Sequence, residues 1–231
     1  MIGTFINVAA ILIGGSLGLI FGGRLTERLK STVIAGMGLF TAVTGIMMFL
    51  ETQNSLIVLG SLVIGALLGE WLKIEDGLQR LGEIFEMRFS RSDSGSGRFV
   101  NGFMTASLLF CIGPMAILGS IQAGLKGDIS LLVIKSVLDG FTAMAFASTL
   151  GVGVLFSAAM ILIYQGSITL LAAQLNSIVS KSMMAELTAT GGVLLLGIAI
   201  SSLLEIKKIR VGNFLPALVL APLIVWIVSL F

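Results

Sequence analysis

Long stretches of the chain contain no charged side chain at all, among them residues 1 to 23, 31 to 50, 99 to 125, 150 to 176, 187 to 204 and 211 to 231. Each is near or above the length of about 20 apolar residues with which a helix crosses the hydrocarbon layer. A membrane barrel would instead need short segments alternating apolar and polar, flanked by aromatic girdles. These runs are continuously apolar, and the whole chain has 1 Tyr and 2 Trp. Lipid offers no partner to an open backbone, so helices are the remaining way to span it. A soluble core is excluded too, because 56% of residues are hydrophobic and 11% charged, against about 25% charged in an ordinary soluble domain. The expectation is an all-α integral membrane protein, a polytopic helical bundle seated in the lipid bilayer.

Lys and Arg are retained on the cytoplasmic side of short loops, which makes them a means of counting spans. Arg24, Arg28 and Lys30 follow the first span; Lys73, Arg80, Arg88, Arg91 and Arg98 follow the third; Lys207, Lys208 and Arg210 precede the last. These residues share one face if 131–147 and 150–176 are separate spans, giving about eight transmembrane segments with both termini outside. The alternative of seven segments, with one kinked span there, puts the last cluster on the opposite face. Between the third and fourth spans, Ile74, Leu78, Leu81 and Phe85 recur at helical spacing opposite Asp76, Arg80, Glu83 and Glu86, an amphipathic helix at the interface. Ser90 to Gly97 reads as a Ser/Gly linker.

Within one membrane domain over 1–231, this divides the chain into a three-helix unit at 1–72, the cytoplasmic segment 73–98, a broken and a short helix at 99–147, and a second three-helix unit at 148–231. Leu59 to Leu67 resembles Leu215 to Leu223, with small residues or proline at matching positions. In the eight-span arrangement the two three-helix units start on opposite faces, as inverted repeats of secondary transporters do.

Polar and helix-breaking groups at membrane depth mark candidate sites, because lipid penalises them. Gly113-Pro114 interrupts the fourth span, where proline removes a backbone donor and forces a kink or break. Two half-helices meeting at mid-depth would aim dipole ends at whatever lies between them, with Ser107, Cys111 and Gln122 near enough in sequence to line the gap. Lys135 and Asp139 lie four apart in the fifth span, on one helical face, where each offsets the charge of the other. At about 1.5 Å per residue, 131–147 reaches about 26 Å, which suits a short or re-entrant helix. Asn7, Gln165 and Asn213 complete the polar set, with interhelical hydrogen bonding as their simplest role. Glu70 and Trp71 read as the interfacial end of the third span.

The glycines of the first three spans form seams for close helix packing and leave dimerisation open. The chain has no histidine and a single cysteine, Cys111. The commonest general base and metal ligand are therefore missing, and neither a cofactor nor a metal site is expected. No nucleotide-binding fingerprint is present, and the basic residues are juxtamembrane, which argues against nucleic-acid partners. The first span lacks the basic start of a signal peptide and reads as a retained helix.

Four blocks also carry a resemblance. Gly3-Thr4-Phe5-Ile6-Asn7 with Gly14 and Gly18, the stretch from Cys111 to Gly124, Lys135-Ser136 with Leu138-Asp139-Gly140, and Tyr164-Gln165-Gly166 are similar to the YdfK/YqgA-like family of bacterial membrane proteins (domain of unknown function 554). The resemblance covers essentially the whole chain. It implies a multi-pass protein of the bacterial inner membrane, in a family loosely described as transporters, with no established substrate or catalytic residue. From both readings the expectation is a secondary transporter or channel for a small solute or ion, and not an enzyme. Its site would draw on Asn7, Ser107, Cys111, Gly113, Pro114, Gln122, Lys135, Asp139, Gln165 and Asn213. A noncatalytic scaffold or sensor subunit is the alternative, and an intramembrane enzyme, for which the chain offers few parts, comes after it.

Overall fold

The computed structural model describes residues 1–22, 26–89, 96–174 and 179–229, and among the described residues there is no β-strand. The helices are α1 (Ile2–Gly22), α2 (Glu27–Phe49), α3 (Ser55–Leu72), α4 (Ile74–Phe89), α5 (Ser96–Cys111), α6 (Pro114–Lys126), α7 (Ser130–Leu150), α8 (Gly153–Leu170), α9 (Lys181–Ile198) and α10 (Pro216–Val228). A π turn, Ala199–Leu203, extends α9, and a 3-10 turn, Val211–Phe214, leads into α10. Among the described residues, seven helical segments are long and apolar enough to cross a membrane, the last two counted with their adjoining turns. The pair α5–α6, bent by 59°, brings the number to eight if it forms one broken span. Most of the expected linker, residues 90–95, lies outside the described residues, and Ser96 and Gly97 already belong to α5.

The backbone divides into two compact units: Met1–Ala35 with Gln79–Ser177, and Gly36–Leu78 with Ile178–Phe231. In the first, α1 lies parallel to α7. A Cβ added at Gly14, Gly18 or Gly22 would strike the backbone of Gly140, Met144 or Ser148 respectively. The spacing of four on both helices makes a seam in which only hydrogen side chains permit this approach.

The ends of α5–α6 decide how the broken pair is to be read. Arg98, at the start of α5, donates from Nε and Nη2 to the Thr149 carbonyl at the far end of α7, at 3.2 and 2.8 Å. Gly119 of α6 faces Leu131 and Leu132 at the near end of α7. The pair therefore runs the length of α7 as a broken span and does not turn back as a re-entrant loop. Alongside it, α8 meets α5 where Gly153 abuts Phe99, and meets α6 where Gly124 abuts Thr169. The second half of α4 covers the α5–α8 end, with Phe85 5.7 Å from the Phe103 ring and 5.5 Å from that of Phe156. One apolar position of the amphipathic helix, Phe85, is thereby half-buried in packing, while Leu81 stays 42% exposed.

In the second unit α2 is antiparallel to α9, closest at Gly45 and Gly192, and α3 is antiparallel to α10, where Gly65 abuts Ala217 and Gly69 abuts Asn213. One end is held by Glu186, whose carboxylate accepts from the Thr52 hydroxyl (2.6 Å) and the Gln53 and Asn54 amides (2.7 and 2.9 Å). The other end is a reciprocal clasp. Glu75 accepts from the Gly212 amide (2.6 Å) while its own amide donates to Asn213 Oδ1 (2.8 Å). Asn213 Nδ2 and Arg210 Nη1 both donate to Glu70, at 2.6 and 2.9 Å. Burial pushes the Glu75 carboxyl above its ordinary range, against the opposing pull of the Gly212 amide, Arg210 and Lys208.

Two helices are longer than the sequence indicates. Where α7 starts, Asp128 Oδ1 accepts the Ser130 amide at 3.0 Å; the helix continues to Leu150 and stops at Gly151, whose φ is 88°. Its 21 residues reach about 31 Å at about 1.5 Å per residue, a full crossing and not the short or re-entrant helix expected from 131–147. Similarly, α9 begins at Lys181 with Ser180 Oγ capping the Met183 amide at 3.1 Å. An absence of charge delimits a span poorly when a cap and a buried acid extend it.

Gly18→Val should destabilise the purified protein by about 2 kcal/mol through overpacking of the α1–α7 seam. Gly60→Ala, with nothing within 4 Å of the added Cβ, should raise stability or leave it within about 0.5 kcal/mol. Thermal unfolding of both variants in detergent checks the contrast, and equal losses would contradict the seam.

Candidate functional site

Every polar side chain at the centre of the first unit comes from a helix whose other faces are apolar. On α7, Lys135, Ser136 and Asp139 are all buried. Ser136 is satisfied locally, donating to the Leu132 carbonyl at 2.6 Å. Lys135 and Asp139, one turn apart, form a direct ion pair at Asp139 Oδ2. That spacing allows the pair to form without any help from the fold.

The fold adds the next layer. Asn7 of α1, fully buried, donates from Nδ2 both to Asp139 Oδ2 at 3.0 Å and to Gln165 Oε1 of α8 at 3.1 Å. Gln165, also fully buried, donates in turn to the Thr4 hydroxyl at 3.4 Å. Lys135, Asp139, Asn7, Gln165 and Thr4 thus make one chain of contacts across α7, α1 and α8. A hydrogen-bonded carboxylate with an adjacent cation is the form in which a charge survives among apolar helices.

The break in the fourth span stands beside this chain. Lys135 Nζ lies 5.9 Å from the centroid of Phe110, in the last turn of α5, close enough for a cation–π contact. Cys111 follows, within electrostatic range of both Lys135 and Asp139. Its helix ends there, with the Ile112 amide still donating to the Leu108 carbonyl at 3.1 Å, and a helix C-terminus carries partial negative charge. Gly113 caps α6 in an extended conformation without a side-chain bond, and Pro114 opens that helix. A Cβ at Gly113 would meet nothing within 4 Å. Three buried polar atoms have no hydrogen-bond partner among the described residues: Asn7 Oδ1, Ser107 Oγ on α5 and Ser120 Oγ on α6.

Of the ten positions expected from sequence, Asn7, Lys135, Asp139 and Gln165 are joined directly. Ser107, Cys111, Gly113 and Pro114 belong to the adjoining break, and Gln122 is half-buried on α6. Asn213 belongs to the second unit, where its amide serves the Glu70–Glu75 clasp. It borders a groove of about 490 Å³ that also touches Leu62, Ala66, Glu70 and Arg210.

Thr4, Phe110, Ser120 and Glu186 are additions that sequence reasoning missed. Thr4 carried a readable signal, since it sits three residues before Asn7 on the same helical face. Glu186 carried none, because it falls just outside a charge-free run.

The family described as a protein of unknown function (DUF554) matches residues 2–226. The chain belongs to this family. Among its relatives, an uncharacterized membrane protein, YdfK of Bacillus subtilis (strain 168), is 32% identical over 235 residues, which cover 100% of this chain and 98% of that protein. An uncharacterized protein, YqgA of Escherichia coli (strain K12), is 36% identical over 225 residues, 96% of this chain and 94% of that one. No solved structure matches the chain. Membership agrees with the resemblance carried by the blocks around Asn7, Gly113, Asp139 and Gln165.

Removing one member of a buried ion pair leaves an uncompensated charge, whereas removing both does not. Lys135→Met alone should therefore cost about 3–5 kcal/mol, and the double variant Lys135→Met/Asp139→Asn distinctly less. Thermal unfolding in choline chloride measures both. A double variant as unstable as the single, or worse, would show that the pair does not carry this stability.

Proposed function

We propose that this protein is a secondary transporter or channel of the bacterial inner membrane that moves a small solute or ion, with the pathway passing the Lys135–Asp139 pair. The observation that carries the reading is the coincidence of three costly features in one place. They are an ion pair buried among apolar helices, a broken span whose α5 end brings Phe110 beside Lys135, and the buried Asn7 Oδ1, which has no hydrogen-bond partner among the described residues. A packing role explains any one of these alone. Together they are what a binding space at membrane depth requires, since discontinuous helices and intramembrane charges both line transport pathways.

Helix pairing supports an inverted repeat as the scaffold. If α1, α2 and α3 correspond to α8, α9 and α10, each helix packs antiparallel on its own counterpart: Asn7 bonds Gln165, Gly45 meets Gly192 and Gly65 meets Ala217. Transporters built on such repeats hold their substrate near mid-membrane. The proposed activity is not enzymatic, since the cluster lacks the nucleophile, base and orienter that catalysis requires.

The test uses proteoliposomes offered the common amino acids, dicarboxylates and polyamines, with lumenal content read by mass spectrometry. At least one solute class should accumulate or equilibrate in a protein-dependent way, and Asp139→Asn should abolish that movement. Movement undiminished in Asp139→Asn, or no protein-dependent movement of any solute, would overturn the reading.

A further inference from the structure

Around Asn7 the oxygens are disposed in an unusual way. Asp139 Oδ2 and Gln165 Oε1 both approach one atom, Asn7 Nδ2, at 3.0 and 3.1 Å. The other amide atom, Asn7 Oδ1, is fully buried with no partner. Thr4 Oγ1 stands behind Gln165 on the same helix face as Asn7. Two nitrogens therefore hold a set of oxygens together: the Asn7 amide and the Lys135 ammonium, which takes the same carboxylate oxygen. A half-turn of the Asn7 amide exchanges its nitrogen for its oxygen at nearly the same position, the two atoms being close to isosteric. Asn7 Oδ1, Asp139 Oδ2 and Gln165 Oε1 would then converge on one point, mutually repelling unless a positive charge sits among them.

We infer that this is a binding site for a small dehydrated monovalent cation of sodium or lithium size, ligated by Asp139, Asn7 Oδ1 and Gln165 Oε1, with Lys135 as a tethered cation that competes for the same carboxylate. The inference rests on the transport reading only for its purpose, supplying the coupling ion; the site itself stands on the oxygen geometry. Three observations favour this occupant over others.

The set contains a single carboxylate beside the Lys135 ammonium, so a monovalent ion leaves the cluster one positive charge in excess and a divalent ion two, which favours the monovalent ion. The ligands are carboxylate and amide oxygens, the donors that hard cations take. Lys135, once displaced, has somewhere to go. Phe110 lies 5.9 Å from its Nζ in the last turn of α5, and the C-terminal end of that helix carries the partial negative charge that a cation needs. Cation entry thus moves Lys135 from α7's own carboxylate toward the break in α5–α6, coupling ion occupancy to the broken span.

The test is thermal unfolding of the purified full chain in detergent at constant ionic strength, titrating NaCl, LiCl or KCl against choline chloride. In the wild type, NaCl or LiCl should raise the midpoint saturably and KCl should do so weakly. Lys135→Met removes the competitor, so NaCl should restore its lost stability with a half-saturating concentration lower by about tenfold. Asp139→Asn should abolish the response. Should that variant not fold, Gln165→Leu, which removes one ligand oxygen and no charge, should raise the half-saturating concentration.

A midpoint that ignores all three cations in both wild type and Lys135→Met, or that follows pH alone, would overturn the cation site. An equal response to choline and sodium would do the same. If proteoliposomes still move a solute in an Asp139-dependent way while sodium has no effect, the ion inference fails and the transport reading stands. A saturable sodium effect without any solute movement has the opposite meaning.

Discussion

A carboxylate surrounded by apolar helices persists only if its charge is offset on the spot, and in this chain the offset for Asp139 is assembled from three directions. Lys135 supplies the countercharge from one turn away on the same helix, and Asn7 supplies a hydrogen bond from α1. Gln165 then fixes the Asn7 amide from α8. Each partner is itself a group that lipid would penalise, so none is tolerable without the others. The centre of the first unit is consequently a mutual constraint: α1, α7 and α8 are held in register by groups that must find one another.

The glycine seams make this assembly reachable. With Gly14 and Gly18 against the backbone of Gly140 and Met144, α1 and α7 approach closely enough for the short Asn7 side chain to reach Asp139. Larger residues would separate the helices and leave that amide and the carboxylate apart. The break between Cys111 and Pro114 works in the other direction, since it opens backbone groups next to the pair where an unbroken helix would present only side chains. Close packing on one side and an interrupted helix on the other give the ion pair two different kinds of neighbour, amides from α1 and α8 and a helix terminus from α5. Function in this reading comes from that asymmetry.

Much of this was legible in the amino-acid order. Charge-free runs located most of the spans, Gly113-Pro114 located the break, and the four-residue spacing of Lys135 and Asp139 announced their pairing. Asn7 and Gln165 stood out as polar residues in apolar helices, although nothing local could say that they contact each other across 158 positions. Asn213 has the same residue type and similar surroundings in sequence, yet it serves a clasp at the end of the second unit. The distinction depends on which helices meet, information that resides in long-range packing. The extents of α7 and α9 depend on local contacts too: Asp128 accepts the Ser130 amide where α7 starts, and the Ser180 cap and burial of Glu186 carry α9 through residues that a hydropathy argument places outside it.

The central claim is that the costly groups of the first unit border a space that water and solutes enter. The most direct measurement is reaction of a cysteine at Gly113, in a Cys111→Ser background, with a charged, membrane-impermeant methanethiosulfonate in intact vesicles. Open space beside Gly113 accommodates the new side chain. The account predicts modification from at least one aqueous side at a rate that falls when solute or sodium is present. A cysteine there that resists the charged reagent from both sides, while reacting with a lipid-soluble maleimide, would contradict it.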